Sequence, residues 1–264
     1  MHEELETAEI TVDEDTGVGH VLMNRPDKLN ALSPQLTDDV VESLHRIREI
    51  NDDADGVDVS VVVLEGAGGN FSSGADLMSF AGAERPFVPR SDFWESLRRF
   101  ELPIVAKIEG YCLGGGLETA LACDLRVAHE DATFGFPEID IGLIPGAGGV
   151  HYVSRVAGEA AARELAYTAD KVPADRAREL GVVNQVYTDD EFDEAADDYA
   201  EKIASKAPLA LQALKESVNM SLDVGLDEAR AHDMRVFMQL LETDDFNAGI
   251  SHFGQDSQPE FEGK

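Results

Sequence analysis

Two glutamates set among glycines and apolar residues are the groups in this chain best placed to move protons. Glu118 closes the run Leu113-Gly-Gly-Gly-Leu-Glu118, and Glu138 follows a proline in Phe134-Gly-Phe-Pro-Glu138. Taken singly, each has an ordinary explanation. Glu118 is a carboxylate favoured by the positive end of a helix, and Glu138 is one of 53 acidic residues, a class that is mostly solvated. Beside them stand two glycine-rich loops, Phe71-Ser-Ser-Gly-Ala-Asp76 and Tyr111-Cys-Leu-Gly-Gly-Gly-Leu-Glu118, each between a strand-like and a helix-like run. One such loop needs no more than a tight turn to explain it. Helix starts, however, present free backbone N–H groups to negative charge. Two loops in equivalent places point to a pair of donors aimed at one oxygen, an oxyanion hole.

Other chemistries lack their residues. There is no Gly-x-Ser-x-Gly elbow for a serine nucleophile. Neither GxGxxG between strand and helix nor the Walker Lys-Ser/Thr occurs, so no dinucleotide or nucleotide phosphate loop is expected. The seven histidines (2, 20, 45, 129, 151, 232 and 252) are scattered without His-x-x-x-His spacing, and Cys-x-x-Cys is missing. No metal site is therefore expected. His129 and His151 read as structural.

The elements that must position these groups follow from periodicity. Thr7–Val12 and Val18–Met23 flank the turn Asp13-Glu-Asp-Thr-Gly17, which predicts a hairpin. Ser33-Pro34 opens a helix, Ser at the N-cap and Pro at N1, with Leu36, Val40, Val41, Leu44 and Ile47 at helical spacing. Buried strands are expected at Asp58–Glu65 and Ile104–Ile108, short strands at Leu125–His129, Thr133–Phe136 and Val182–Tyr187, and helices from near Ala75, at Phe93–Phe100 and at Leu117–Cys123. Val62-Val-Leu-Glu-Gly66 and Ala106-Lys-Ile-Glu-Gly110 form a weak internal repeat. Each ends a strand with Glu-Gly and leads through a glycine-containing loop into a helix, an arrangement that sets two helix N-termini side by side. From Gly146 the chain reads as helices at 146–154, 158–166, 174–180, 190–205, 208–221, 225–242 and 244–254. The division is an α/β core over 1–190 and a helical region over 191–264.

Composition narrows the setting. With 264 residues, 43% of them hydrophobic, the chain can bury a sizeable core. No apolar stretch approaches the ~18 residues of a membrane span. The acidic N-terminus has neither part of a signal peptide. Cys112 and Cys123 read as buried core residues of a reducing compartment, the cytoplasm. The formal net charge is -32, from 53 acidic against 21 basic residues spread along the chain. This charge disfavours nucleic acid as a partner. It suggests adaptation to high salt, since self-repulsion is screened there.

The sequence resembles the crotonase superfamily, and within it the enoyl-CoA hydratases, collinearly over about residues 5–225. Five stretches carry the likeness: Met23-Asn-Arg-Pro-Asp-Lys-Leu-Asn-Ala-Leu32, Phe71-Ser-Ser-Gly-Ala-Asp-Leu77, Leu113–Glu118, Phe136-Pro-Glu-Ile-Asp-Ile-Gly-Leu-Ile-Pro-Gly-Ala-Gly-Gly149 and Ala174–Val186. The resemblance implies a spiral of repeated ββα units with a helical C-terminal trimerisation region, in homotrimers or dimers of trimers. It implies addition of water to a 2-enoyl-CoA thioester, with coenzyme A as part of the substrate and no separate cofactor. By resemblance the backbone N–H groups of Ser73 and Gly115 form the oxyanion hole, Glu118 is the base for water, Glu138 is the acid at carbon 2, and Gly146 holds the attacking water at a helix N-terminus. Lys28, Leu29 and Ala31 would line the coenzyme A channel, and the Ser72–Asp76 loop, with Ala75 and Leu77, would touch coenzyme A.

The chain departs from the family pattern in three places. Ser73 replaces the usual Ala, Gly149-Val-His-Tyr-Val-Ser-Arg155 replaces the common Thr-Gln-Arg-Leu, and Asp244–Phe253 lacks the basic residues that hold coenzyme A phosphates. Arg25 and Lys28 are then the candidates for the phosphates. An isomerase of the family, which manages with one glutamate, a thioester hydrolase or decarboxylase, and a non-catalytic acidic scaffold stay open. The aromatic residues Phe80, Phe87, Phe93 and Trp94 either cap a short acyl group or belong to the core.

Overall fold

The computed structural model of the chain describes residues 1–77, 91–221, 223–255 and 259–264. The helix expected beyond Ala75, and Phe80 and Phe87, fall outside them except for its first residues. The expected hairpin forms from β2 (Ala8–Asp13) and β3 (Val18–Met23), with Ile10 opposite Val21. An additional strand, β1 (His2–Glu4), pairs antiparallel with β2. Its charged residues gave no apolar alternation to read. Ser33 caps α1 (Pro34–Asp53), its side chain accepting the Leu36 N–H at 3.2 Å, a cap worth about 1 kcal/mol. Leu36, Val40, Leu44 and Ile47 face the core as their spacing required.

Four parallel strands extend the hairpin into a seven-stranded sheet. They are β4 (Val61–Gly66), β5 (Ile104–Ile108), β7 (Leu125–His129) and β10 (Gln185–Tyr187), in the order β1-β2-β3-β4-β5-β7-β10. β4 begins three residues later than the apolar run suggested. Alternation splits its side chains between two cores. Val62 and Leu64 join the main one with Ile104, Ala106 and Ile108. Val61, Val63, Val105 and Val127 face α7 (Phe192–Ala204), packing on Ala196 and Ala200. Both faces are thus covered, which explains near-continuous apolar strands. Each large side chain buried this way contributes roughly 1.5–3 kcal/mol. Lys107 alternates onto the α7 face and is held there by Asp193 at 2.9 Å and Asp197 at 3.3 Å.

The weak repeat becomes a second layer. After the Glu109-Gly110 corner the chain lays down β6 (Tyr111–Leu113), inside a segment expected to be loop. After β7 it lays down β8 (Thr133–Gly135), and β9 (Val172–Pro173) completes a three-stranded sheet in the order β6-β8-β9. Single bridges from Ser72 to Cys112 and from Leu32 to Ala75 continue this layer toward the first loop. At Gly110 (φ 49°) a Cβ would fall 2.3 Å from the Gly69 carbonyl oxygen, so only glycine allows the two corners to nest. The remaining helices are α2 (Ser91–Arg99), α3 (Gly115–Ala122), α4 (Gly149–Val156), α5 (Gly158–Thr168), α6 (Ala174–Leu180), α8 (Pro208–Met220), α9 (Leu226–Leu240) and α10 (Asp244–His252). Among the described residues no helix is long and apolar enough to cross a membrane.

Candidate active site

Helix α3 is buried on every side, as its apolar sequence demands. Its C-terminal carbonyls, of Ala120 and Cys123, accept from the buried Arg126 guanidinium at 3.3 and 3.0 Å. Its N-terminus opens on a cavity of about 920 Å³. Gly114 forms the N-cap with φ 51° and ψ -124°, a conformation open only to glycine. A Cβ there would sit 2.8 Å from Glu138 Oε1. At Gly116 it would sit 2.4 Å from the Ser72 carbonyl oxygen. The glycine run is thus what lets the two loops and the second glutamate meet.

The structure corrects one of the two expected donors. The Ser73 N–H already donates to the Leu29 carbonyl at 2.9 Å. Two residues on, the Ala75 N–H has no acceptor among the described residues, and the same holds for Gly115. The two loops touch here: a Cβ on Gly115 would lie 3.5 Å from the Ala75 nitrogen. Ala75 and Gly115, both on the cavity wall, form the open pair.

Glu118 is 3% exposed, and its Oε1 accepts the N–H groups of Ala147 at 2.7 Å and Gly149 at 2.9 Å. Burial pushes its pKa up, these two donors pull it down, the nearby Glu138 adds to the rise, and the result is about 7. Glu138 lies on a 3-10 turn, Pro137–Ile141, that was not foreseen. Burial raises its pKa also, and its Oε2 is buried with no hydrogen-bond partner. Two N–H groups aimed at one carboxylate favour the ionised form there. A buried oxygen without a partner favours a proton. Both carboxyls are thus held above the ordinary carboxylate range, and they differ in their donors: two N–H groups meet Glu118, while Glu138 Oε2 meets none.

The remaining expected residues divide. Leu77, Gly146, Ser73 and Ala75 line the cavity with the two glutamates, while Arg25, Lys28, Leu29, Ala31, Ser72 and Asp76 do not. Gly146 is not at a helix N-terminus, since α4 begins three residues later. The chain from Ala147 to Gly149 is instead wrapped around the Glu118 carboxylate. Arg25 is not free for phosphate: its guanidinium bonds the Ala31 carbonyl and pairs with Asp76 at 3.2 Å. Ser72 is wholly buried, its hydroxyl donating to the Asn30 carbonyl at 2.8 Å. Leu29 stays on the rim, 41% exposed.

His151, read as structural from the sequence, lines the cavity, as does Trp94, while Phe93 is core. His129 is structural as read, bonded to Asp189 and to the Asp131 N–H, both at 3.1 Å. Among the described residues no three metal-ligating side chains cluster.

Comparison with known proteins gives a consistent picture. The profile described as enoyl-CoA hydratase/isomerase matches residues 13–264. The chain is 35% identical to the 2,3-dehydroadipyl-CoA hydratase of Escherichia coli, over 97% of this chain and 100% of that protein. It is 33% identical to the short-chain-enoyl-CoA hydratase of Clostridium acetobutylicum, over 94% and 95%. A crystal structure of an enoyl-CoA hydratase subunit from Geobacillus kaustophilus superposes with a TM-score of 0.88 at 32% identity, covering 99% of this chain and 100% of that one. The mixed α/β architecture is the crotonase fold that the sequence led us to expect.

Proposed function

Since the chain belongs to the enoyl-CoA hydratase/isomerase family and is a hydro-lyase of that family, we propose the following division of labour for adding water to a 2-enoyl-CoA. The thioester oxygen takes the N–H groups of Ala75 and Gly115. These stabilise the charge that develops there as carbon 3 is attacked, and a single such donor is typically worth ~10²–10³-fold. Water lies between the carboxylates. Glu118, ionised, takes one of its protons as the oxygen bonds to carbon 3, while Glu138 gives its own proton to carbon 2. Glu118 ends protonated and Glu138 ionised, and a proton passed between them resets the site. The observation that carries this reading is the contrast between Glu118, held by two N–H donors, and Glu138, whose Oε2 has none. An isomerase would need one glutamate; two on one cavity support hydration. The test is loss of enoyl-thioester absorbance with crotonyl-CoA, expected with wild-type protein.

Coenzyme A phosphates are left to Lys28, which makes no ion pair among the described residues. Weak phosphate contacts suit a protein of charge -32 working in high salt. The two cysteines, buried and unbonded, support a reducing, cytoplasmic setting.

The helical C-terminal region is proposed to trimerise, in trimers or dimers of trimers. It exposes Leu214 and Val218 on α8, Met234, Phe237 and Met238 on α9, and Phe253 just after α10, and exposed apolar side chains gathered on one region are what a subunit contact would cover. Light scattering and thermal melts across a KCl series test both ideas. We expect a trimer or hexamer mass in molar KCl and a melting temperature that climbs with salt. A monomer, or a melting temperature indifferent to salt, contradicts the respective proposal.

A further inference from the structure

Trp94 is a wall of the cavity that is not free to turn. Its ring is 6% exposed and packs edge-on against Phe93, centroids 5.3 Å apart. Its indole N–H donates to Thr119 Oγ1 at 3.2 Å, and the wholly buried Thr119 hydroxyl donates in turn to the Gly115 carbonyl at 2.8 Å. The C-terminal end of α2 is fixed from the other side by α8. There Lys215 donates to the carbonyls of Leu97 and Leu102 at 3.4 and 2.8 Å, and Asn219 to that of Arg98 at 2.9 Å. Lys215 is itself buried against Asp124 at 2.7 Å. A buried aromatic with its one donor satisfied keeps a single rotamer.

The position of this ring relative to the thioester follows from helix geometry. Gly115 supplies an N–H to the thioester oxygen, and Thr119 stands one turn further, about 6 Å along α3. Coenzyme A is large and charged and must leave by the open side, where Leu77 and Ile144 are exposed. The acyl group therefore runs inward, toward the indole. We propose that Trp94, pinned by Thr119, is the specificity-determining wall that restricts this enzyme to short acyl groups. The inference rests on the hydratase reading above, and it assigns Thr119 a positioning role through Trp94.

The test is kcat/KM for enoyl-CoAs of four to ten carbons, read as the ratio of the ten-carbon to the four-carbon substrate, so that any general loss cancels. Wild type should disfavour the long substrate by at least ~10-fold, the lower end of what an apolar pocket achieves per misfit group. Thr119→Ser keeps the acceptor and should keep the ratio. Thr119→Val keeps the shape but strands the indole N–H, which must swing to find water, and the ratio should rise ~10-fold or more. Trp94→Phe, which removes donor and bulk together, should raise it as well. If Thr119→Val does not fold, as judged by circular dichroism, Trp94→Phe decides alone. Folded variants with the wild-type ratio, or a wild type indifferent to chain length, overturn the proposal. A wild type that hydrates no enoyl-CoA of any length overturns the hydratase reading instead.

Discussion

Glu118→Gln should lower turnover by at least ~10²-fold, the usual scale for an acid–base group, while making the folded protein more stable at alkaline pH. The two effects have one cause. Glu118 is buried and titrates at about 7, above the ordinary carboxylate value of 4.5. A carboxyl whose folded pKa is raised binds its proton more tightly folded than unfolded. Its favourable contribution is complete below pH ~4.5 and is lost as pH climbs through about 7. By pH 8 the buried charge costs on the order of 3 kcal/mol. Glutamine keeps an oxygen for the Ala147 and Gly149 N–H groups and carries no charge. We expect its melting temperature to exceed wild type by several degrees at pH 8, with the advantage vanishing near pH 4.5. A variant less stable than wild type at both pH values would show that the two N–H donors, not burial, dominate at this carboxylate.

Turnover should rise with pH through about 7 as Glu118 ionises, and Glu138→Gln should lower it at every pH. The rising limb reflects ionisation of the base, Glu118, near pH 7. Burial raises the Glu138 pKa as well, which favours the proton it gives to carbon 2. With glutamine at 138 the proton donor to carbon 2 is gone, so turnover should fall by ~10²-fold or more and the residual rate should plateau at high pH. Substrate binding, measured by inhibition with a saturated acyl-CoA, should stay close to wild type because the two N–H donors remain. A Glu138→Gln variant with near wild-type turnover would take the delivery of the carbon 2 proton away from this residue.

Much of this site was legible in the sequence because its glutamates lie in glycine-bearing runs that have few other uses. What was not legible is tertiary. Ser73 and Ala75 flank Gly74, whose backbone at φ 97° breaks the extended alternation, so the Ser73 N–H turns to Leu29 while the Ala75 N–H is left beside Gly115. Nothing in the sequence tells which of them the Leu29 carbonyl will take. That carbonyl points as it does because Leu29 and Asn30 both adopt left-handed backbone (φ 51° and 50°). The buried Asn30 amide holds the turn in place by donating to the carbonyls of Ala67 and Asn70, at 2.9 and 2.6 Å. Arg25 looked free until its partner Asp76, 51 residues on, was brought beside it.

The fold shows the same division. Strands with strong apolar alternation were placed within a few residues, as in β2, β3 and β5. β1 and β9 are three and two residues long, too short for any period. Helix α4 was placed three residues early because Gly146–Gly148 read as the start of an apolar helix. Gly148, at φ 95°, turns the chain around the Glu118 carboxylate before the helix can begin.

The measurement closest to the central claim is the decay of enoyl-thioester absorbance when wild type, Glu118→Gln and Glu138→Gln each meet crotonyl-CoA in molar KCl. Fast decay with wild type, and at least ~10²-fold slower decay with each variant at unchanged fold, is the predicted result. Wild-type rates in either glutamine variant, or no decay with wild type for any enoyl-CoA, would contradict the assignment of this pair as the groups that add water.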